Sequence, residues 1–555
     1  NPRPHRNPVG VKNRRNVVLG QMKKYNYLED VIVDSIQLQP LNLNYTPESH
    51  REGLATYFRE FLRAHMKAWI NDENNRKPDG SKYNLNTDGL KIYTTINYSM
   101  QEMAENAVLT HMPRLQKEFF EQNETLDDSI APFRELTSGA VDTLLRISMR
   151  RSERWRKMKY DLKKDNEEIE ESFFVPKEMT VFSWEGEIDT IMTPLDSMKY
   201  YKSFFRPGMM SMDPTNGYIK AWVGGMNYRH FQYDMVKKGK RQIGSTFKPF
   251  IYAAAIDQLK LSPCDTFPDS QFCIQKNKFG NVEQWCPKNS GDKYGRTRTL
   301  KNALANSVNT VTARLMDRIG PRTVVKLAKD LGIEQRILPV PSIALGTPDL
   351  SVYEMVAAYS TFANKGVYTQ PVFIERIEDK NGTTLYENKP VTRDVLSEEA
   401  AYVTVNLLEG VTKAGSGTRL RTTGADEFNR AYQNVVTGYP YEFTNPIAGK
   451  TGTTQNQSDG WFIGMVPNLV TGVWVGAEDR AIHFEDIAYG QGASMALPIW
   501  GVYMKSVYQD STLMISKDSF ERPKRLSIEL DCNKFVIDSI GSGKTTDQEI
   551  LDIDF

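Results

Sequence analysis

The stretch Arg241–Phe250, Arg-Gln-Ile-Gly-Ser-Thr-Phe-Lys-Pro-Phe, runs directly into Ile251-Tyr252-Ala253-Ala254-Ala255-Ile256. That junction constrains the fold more than any other part of the chain. Its second half is apolar and alanine-rich, which predicts a helix buried on all sides. Gly244 permits a sharp entry, and Pro249 falls in the first turn, where a missing N–H costs little. Ser245 and Lys248 stand three residues apart, so on a helix they share a face. Their hydroxyl and amine are expected to meet at the helix N-terminus, the positive end of its dipole. Free N–H groups there suit a developing oxyanion. Burial and the positive field push such a lysine toward its neutral form, the form a general base needs.

A Ser-x-x-Lys pair arises by chance in most long chains, so its company decides its meaning. Ser307-Val308-Asn309 lies downstream, and Lys450-Thr451-Gly452-Thr453-Thr454 lies further on. The order Ser-x-x-Lys, Ser-x-Asn, Lys-Thr-Gly resembles the signature of penicillin-recognising acyl-transfer enzymes.

The 555 residues are too many for one ordinary domain. With 40% hydrophobic and 25% charged residues, the composition is that of a soluble globular protein. A net charge of +1 predicts attraction to neither nucleic acid nor a membrane surface. No apolar run approaches the roughly 18 residues that span a bilayer, and no signal peptide is visible. The chain opens on Asn1 rather than Met, so a fragment without its export and anchoring segments is expected. The four cysteines show no Cys-x-x-Cys spacing, so no metal site is expected. Cys273 and Cys286 flank the turn-like Lys276–Gly280, which suggests a disulfide across a hairpin in an oxidising compartment. The six histidines have no Ser or Cys partner motif and offer no rival triad.

Along the chain, residues 1–28 read as a basic, Pro-punctuated loop entering a helix. Tyr45–Asn71 has helical periodicity, Gly89–Ile96 alternates as a strand, and a helix follows with Pro113 near its end. Residues 116–174 are dense in charge, with an Arg/Lys block at 150–159 and a Glu block at 167–171, and predict a solvated helical pair or hairpin with the blocks facing. A docking surface for a partner or an anionic glycan is the sharper alternative.

Asn216-Gly217 between Met209–Met212 and Tyr218–Val223 signals a hairpin, the first two strands of a sheet against which the Ser245 helix would pack. Ser307–Asn309 is expected in a connection between two helices. Ser351–Glu354 is a capping box opening a helix that ends at Gly366. Ile447–Thr454 has the small residues of a strand that another backbone must approach closely, and Gly460–Val466 and Leu469–Val475 follow as antiparallel strands. The Lys450–Thr453 strand would then line a cleft and pair with an extended peptide. A closing helix runs from Leu497 toward Val507, and the chain beyond Ser511 is charged and irregular. Gly541–Thr546 mimics a P-loop, but Asp538 occupies the required earlier glycine position.

From Asn1 to about Tyr508 the chain resembles a bifunctional (class A) penicillin-binding protein that lacks most of its glycosyltransferase half. The resemblance rests on the three motifs, on Arg14–Leu19, on Asp88-Gly89-Leu90 with Thr94-Thr95-Ile96, and on Ile343–Gly346 with Glu354–Gly366. Val308 sits where class A β-lactamases usually carry Asp. The resemblance implies an α+β fold, a penicillin-recognising serine transpeptidase with an antiparallel sheet packed between helices. It implies a glycosyltransferase tail over 1–34, a linker over 35–115 and a charged helical insertion over 116–205. The transpeptidase domain would span 206–511, and a C-terminal tail 512–555.

It further implies a D,D-transpeptidase that cross-links peptidoglycan stem peptides through a serine acyl-enzyme and is acylated by β-lactams. Ser245 would be the nucleophile, Lys248 the base, and Ser307 the proton donor to the leaving amine, helped electrostatically by Lys450, while Asn309 would hold the peptide amide and keep Lys248 oriented. Thr451, Gly452, Thr453 and Thr454 would bind substrate, and the N–H groups of Ser245 and Thr453 would form the oxyanion hole. No cofactor or metal is implied. The implied partners are stem peptides, lipid-linked glycan strands, β-lactam inhibitors and other cell-wall synthesis proteins, with a membrane anchor in the full-length protein and no nucleic acid. The implied location is the periplasmic or extracytoplasmic face of the bacterial inner membrane. The alternatives are a D,D-carboxypeptidase or β-lactamase hydrolysing the same acyl-enzyme, a β-lactam sensor, and a non-catalytic scaffold.

Overall fold

A computed structural model describes residues 7–41, 51–421 and 435–534. The chain divides into two compact units, Asn1–Gly53 and Leu54–Phe555. In the first, helix Pro8–Lys24 starts at Asn7, whose side chain accepts from the Gly10 N–H. A second helix, Asp30–Leu38, is tied to it by the Arg15 guanidinium, which donates to the carbonyls of Gln37 at 3.1 Å and Gln39 at 2.9 Å.

The second unit is built on five antiparallel strands: β1 (Arg206–Met212), β2 (Ile219–Val223), β3 (Ala448–Thr453), β4 (Asp459–Val466) and β5 (Leu469–Gly476). Their order across the sheet is β3-β4-β5-β1-β2. Chain-distant segments therefore meet at its centre, where β5 pairs with β1. Both faces are covered, so the period-2 alternation divides two apolar sets instead of apolar from polar. Met210, Met212, Trp461, Ile463 and Trp474 point to one core, and Met209, Phe462, Val473 and Val475 to the other.

Helices complete the layers: α1 (Tyr98–Asn123), α2 (Lys248–Leu259), α3 (Leu300–Ala305), α4 (Asn309–Ile319), α5 (Val352–Ala363), α6 (Glu398–Ala414) and α7 (Leu497–Gln509). α1 and α7 cover the second face, and α5 lies across β1, β4 and β5 on the first. The α5 capping box is present, with Ser351 and Glu354 exchanging side-chain and backbone bonds. α5 itself ends at Ala363, three residues before Gly366. This is the expected mixed helix and antiparallel-sheet fold.

Some local expectations change. α1 continues through Pro113 to Asn123, because Leu115, Gln116 and Phe119 beyond the proline are buried and packing outweighs the missing bond. Of the helix expected over Tyr45–Asn71, residues 45–50 lie outside the described residues, and the described helix runs from Thr56 to Asn71. Residues 138–202 carry helices Ser138–Arg151 and Asn166–Glu171, a hairpin of Lys177–Ser183 with Gly186–Met192, and helix Pro194–Lys202. Between the two charge blocks and their flanks, Arg146 bonds Glu170, while Lys157 pairs locally with Glu153 at 3.0 Å. α2 packs chiefly on α4 and α6, and it is the preceding turn Gly244–Phe247 that lies against β3 and β4. The P-loop-like Gly541–Thr546 lies outside the described residues.

Disulfides join Cys273 to Cys286, beside an isolated bridge of Ile274 with Trp285, and Cys264 to Cys532. No described helix is long and apolar enough to cross a membrane.

Candidate active site

The first motif enters on Gly244, whose φ of +53° few other residues adopt cheaply. A Cβ there would stand 2.8 Å from the Thr453 carbonyl oxygen and 3.5 Å from the Thr453 nitrogen. Across the contact, a Cβ on Gly452 would stand 2.8 Å from the Ile243 carbonyl oxygen. These two glycines let the turn Gly244–Phe247 press its backbone onto β3, and that contact brings Ser245 beside Thr453. Ser245 is half-buried in this 3-10 turn, one turn before the α-helix, with Lys248 and Pro249 opening α2. Every residue from Lys248 to Ile256 is buried, as the apolar run predicts.

The second motif occupies the corner between α3 and α4. Ser307 has φ +57°, a left-handed conformation that costs a serine of order 1–2 kcal/mol. Val308 is buried and anchors the corner through its N–H to the Ala303 carbonyl at 2.9 Å. This leaves the Ser307 hydroxyl and carbonyl and the Asn309 amide together. Lys248 Nζ donates to all three: the Ser307 carbonyl at 2.5 Å, Ser307 Oγ at 3.1 Å and Asn309 Oδ1 at 2.6 Å. The lysine of the first motif is thus held by the second motif, whereas spacing alone suggested a partnership with Ser245.

The third motif lies on β3, at the edge of the sheet, hydrogen-bonded to β4 on one side. Lys450 Nζ donates to Ser307 Oγ at 3.1 Å and to the Thr451 carbonyl at 3.0 Å. One hydroxyl therefore bridges two fully buried lysines. Burial, with the neighbouring Lys450, pushes the Lys248 amine well below the ordinary lysine value. Burial pushes Lys450 down to about 7. The cause is elementary: two ammonium groups cannot both be comfortable around one hydroxyl, away from water.

The remaining predicted residues separate by their partners. Thr451 Oγ1 shares a hydrogen bond of 2.5 Å with Ser416 Oγ, and Thr453 Oγ1 accepts from the Gly492 N–H at 3.0 Å. Thr454 is bound to Asp459, accepting from its N–H at 2.9 Å and donating to its carboxylate at 3.2 Å. That threonine fastens the end of β3. Asp459 also accepts from Arg241 Nε at 2.7 Å and Trp474 Nε1 at 2.9 Å, which links the approach to Ser245 with the exit from Lys450. Sequence reasoning missed Ser416, Asp459 and the segment around Asn289; Ser416-Gly417-Thr418 after α6 carries no signal readable in one sequence.

Residues 208–479 match the family described as "Penicillin binding protein transpeptidase domain", and residues 128–205 match "Penicillin-binding protein middle domain". The chain carries a penicillin-binding protein transpeptidase domain preceded by a penicillin-binding protein middle domain. The second match gives a family description to most of the stretch 116–205, which the resemblance had implied to be an insertion.

Penicillin-binding protein 1A of Aquifex aeolicus is 29% identical over 535 residues, 94% of this chain and 65% of that protein. Penicillin-binding protein 2D of Bacillus subtilis is 33% identical over 318 residues, 57% of this chain and 42% of that protein. The chain thus spans less than two thirds of either relative. Penicillin-binding protein 1A from Haemophilus influenzae superposes with a TM-score of 0.59 at 22% identity, covering 93% of this chain and 77% of that one. The Mycobacterium tuberculosis penicillin-binding protein PonA1 gives 0.54 at 20% identity, covering 86% and 95%. At these identities the structural likeness shows the fold.

Proposed function

We propose that this penicillin-binding protein chain is a D,D-transpeptidase that cross-links peptidoglycan stem peptides through a Ser245 acyl-enzyme, and that β-lactams trap that acyl-enzyme. The observation that carries the reading is the buried chain Lys248–Ser307–Lys450, in which both amines are pushed toward neutrality around a single hydroxyl.

In its neutral form Lys248 donates to only two of its three partners and keeps a lone pair for a hydroxyl proton. Ser245 Oγ bonds to the carbonyl carbon of the penultimate D-Ala as its proton passes to Lys248. The developing oxyanion is held by the N–H groups of Ser245 and Thr453, a pairing supported by the close approach of Gly244 to Thr453. The C–N bond then breaks, and Ser307 delivers a proton to the departing D-Ala amine, replenished from the lysines that flank it. Asn309 keeps Lys248 in place. Thr451 and Thr453 hydroxyls take the terminal carboxylate, Gly452 keeps β3 close to the reacting turn, and Thr454 secures the strand. The free edge of β3 suits an extended peptide added as a sixth strand. An amine from a neighbouring stem peptide attacks the ester, loses its proton to the same relay and frees Ser245.

The two disulfides support an oxidising location, the periplasmic or extracytoplasmic face of the bacterial inner membrane. Lipid-linked glycan strands, other cell-wall synthesis proteins and a membrane anchor belong to this proposal for the full-length protein, and the helices of Asn1–Gly53 would be the tail of its glycosyltransferase domain.

The test is intact mass after incubation with a penicillin, for the parent and for Ser245→Ala. A one-drug adduct on the parent that the alanine variant lacks is the expected result. Persistence for hours fits a transpeptidase, and loss within minutes fits a β-lactamase. A folded parent without an adduct would overturn the proposal.

A further inference from the structure

α4 begins without a cap of its own: Val308 precedes it and offers no side-chain acceptor. Its first two N–H groups, of Asn309 and Thr310, are bonded instead by a residue from a separate loop. Asn289 Oδ1 accepts from Asn309 N at 3.0 Å and from Thr310 N at 3.1 Å. Helix N-terminal N–H groups need such partners, and an asparagine oxygen is among the best of them.

Asn289 is itself held from behind. Its Nδ2 donates to Asp269 Oδ1 at 2.7 Å and to the Lys293 carbonyl at 3.0 Å. Asp269 is fully buried and also accepts from Thr310 Oγ1 at 2.7 Å, Arg298 Nε at 2.6 Å and the Gly295 N–H at 3.0 Å.

This arrangement places the carbonyl of the adjoining residue, Lys288, against the catalytic cleft. Asn309 Nδ2 donates to it at 2.7 Å while Asn309 Oδ1 accepts from Lys248 at 2.6 Å. An amide turned the other way would set oxygen against oxygen and N–H against the lysine, losing both bonds. The Lys288 carbonyl therefore fixes which end of the Asn309 amide meets Lys248. Cys286, two residues earlier and disulfide-bonded to Cys273, anchors the same loop.

We propose that Asn289, anchored by Asp269, is a positioning residue for acyl transfer, setting the Asn309 amide that orients Lys248. The inference rests on the acyl-enzyme reading above and goes beyond it, because Asn289 lies outside all three motifs and touches no reacting atom.

The experiment is stopped-flow acylation by a chromogenic cephalosporin, separating the non-covalent dissociation constant from the acylation rate constant. It is run on the parent, Asn289→Ala, Asn289→Asp, the double variant Asn289→Asp with Asp269→Asn, and Thr299→Ala. Thr299 caps the neighbouring helix α3 by accepting from Asn302 N at 3.1 Å, so its variant loses a cap without touching the Asn289 loop.

The acylation rate constant of Asn289→Ala should fall by about tenfold or more with the dissociation constant unchanged, since misplacing a catalytic group by about 1 Å costs up to about 10²-fold. Asn289→Asp sets a carboxylate against Asp269 and should be slow as well. The double variant restores the 289–269 donor–acceptor pair with its polarity reversed, though not the bond to the Lys293 carbonyl, and should regain part of the rate. Thr299→Ala should match the parent rate while losing comparable thermal stability.

A parental rate in Asn289→Ala overturns the inference, and so does an equal slowing in Thr299→Ala. Should Asn289→Ala not fold, the double variant decides: a folded double variant that stays slow overturns it. Absence of acylation in the parent would instead overturn the acyl-enzyme reading itself.

Discussion

Gly244→Ala tests whether close backbone contact between the Ser245 turn and β3 creates the reactive geometry. The new methyl would sit 2.8 Å from the Thr453 carbonyl oxygen and 3.2 Å from its carbon. An ordinary C···O contact is roughly 3.4 Å, so the turn must retreat from the strand by about 0.6 Å. Alanine at φ +53° adds a backbone cost of about 1–2 kcal/mol. The retreat cannot be absorbed by a flexible side chain, because both partners are backbone. It would separate the Ser245 N–H from the Thr453 N–H, the two donors proposed for the oxyanion.

Losing good alignment to one such donor costs roughly 2.7–4 kcal/mol in the transition state, a fall of about 10²–10³ in rate. Half an ångström should incur a part of that, so a drop of about ten- to a hundredfold in the acylation rate constant is expected. Stability should fall by about 1–3 kcal/mol in denaturant titration, mainly from the backbone term. The assay pairs stopped-flow acylation with urea unfolding of the same preparation. A variant that loses the stability but acylates at the parental rate would refute the reasoning, because the glycine would then serve the turn and not the site.

Two further outcomes follow from the same geometry. Lys450 titrates at about 7 in the folded protein and near 10.4 when unfolded, so between those values the unfolded chain holds more protons and stability rises with pH; melting temperatures from pH 7 to 9.5 should climb, and Lys450→Met should flatten the climb, an unchanged slope counting against the lowered value. Ser416→Ala removes the partner of the Thr451 hydroxyl, a bond worth about 0.5–1.5 kcal/mol, so the dissociation constant for a penicillin should rise by roughly two- to tenfold with little change in the acylation rate constant.

What the sequence disclosed and what it hid divide along a physical line. The buried helix after Ser245, the paired strands of Asp459–Val466 and Leu469–Gly476, and the Ser351 capping box are local patterns, written in neighbouring residues. The gathering of Lys248, Ser307, Asn309 and Lys450 was legible through the motifs, as was the hold of Asn309 on Lys248, but the bonds of Ser307 to both lysines were not. Spacing put Lys248 with Ser245, whereas its three acceptors all come from residues about sixty positions downstream. Two features were invisible for a related reason. Asn289 acts through backbone atoms, which have no residue type to read. Ser416 meets Thr451 only because α6 delivers it there from a distant part of the chain. Pro113 misled because a proline's local penalty was set against a core that sequence could not count.

The bond between Cys264 and Cys532 closes a ring whose ends are separated by 268 in sequence. Ser307, Asn309 and Lys450 lie inside that ring, while Ser245 and Lys248 lie just before it. A protease that nicks any loop of the ring once would therefore release nothing: the two pieces stay joined through sulfur until a reductant separates them. Tension applied along the chain from its two ends would likewise pass through the sulfur bridge and bypass the whole ring. The half of the cleft that holds the second and third motifs is mechanically shielded by one covalent shortcut.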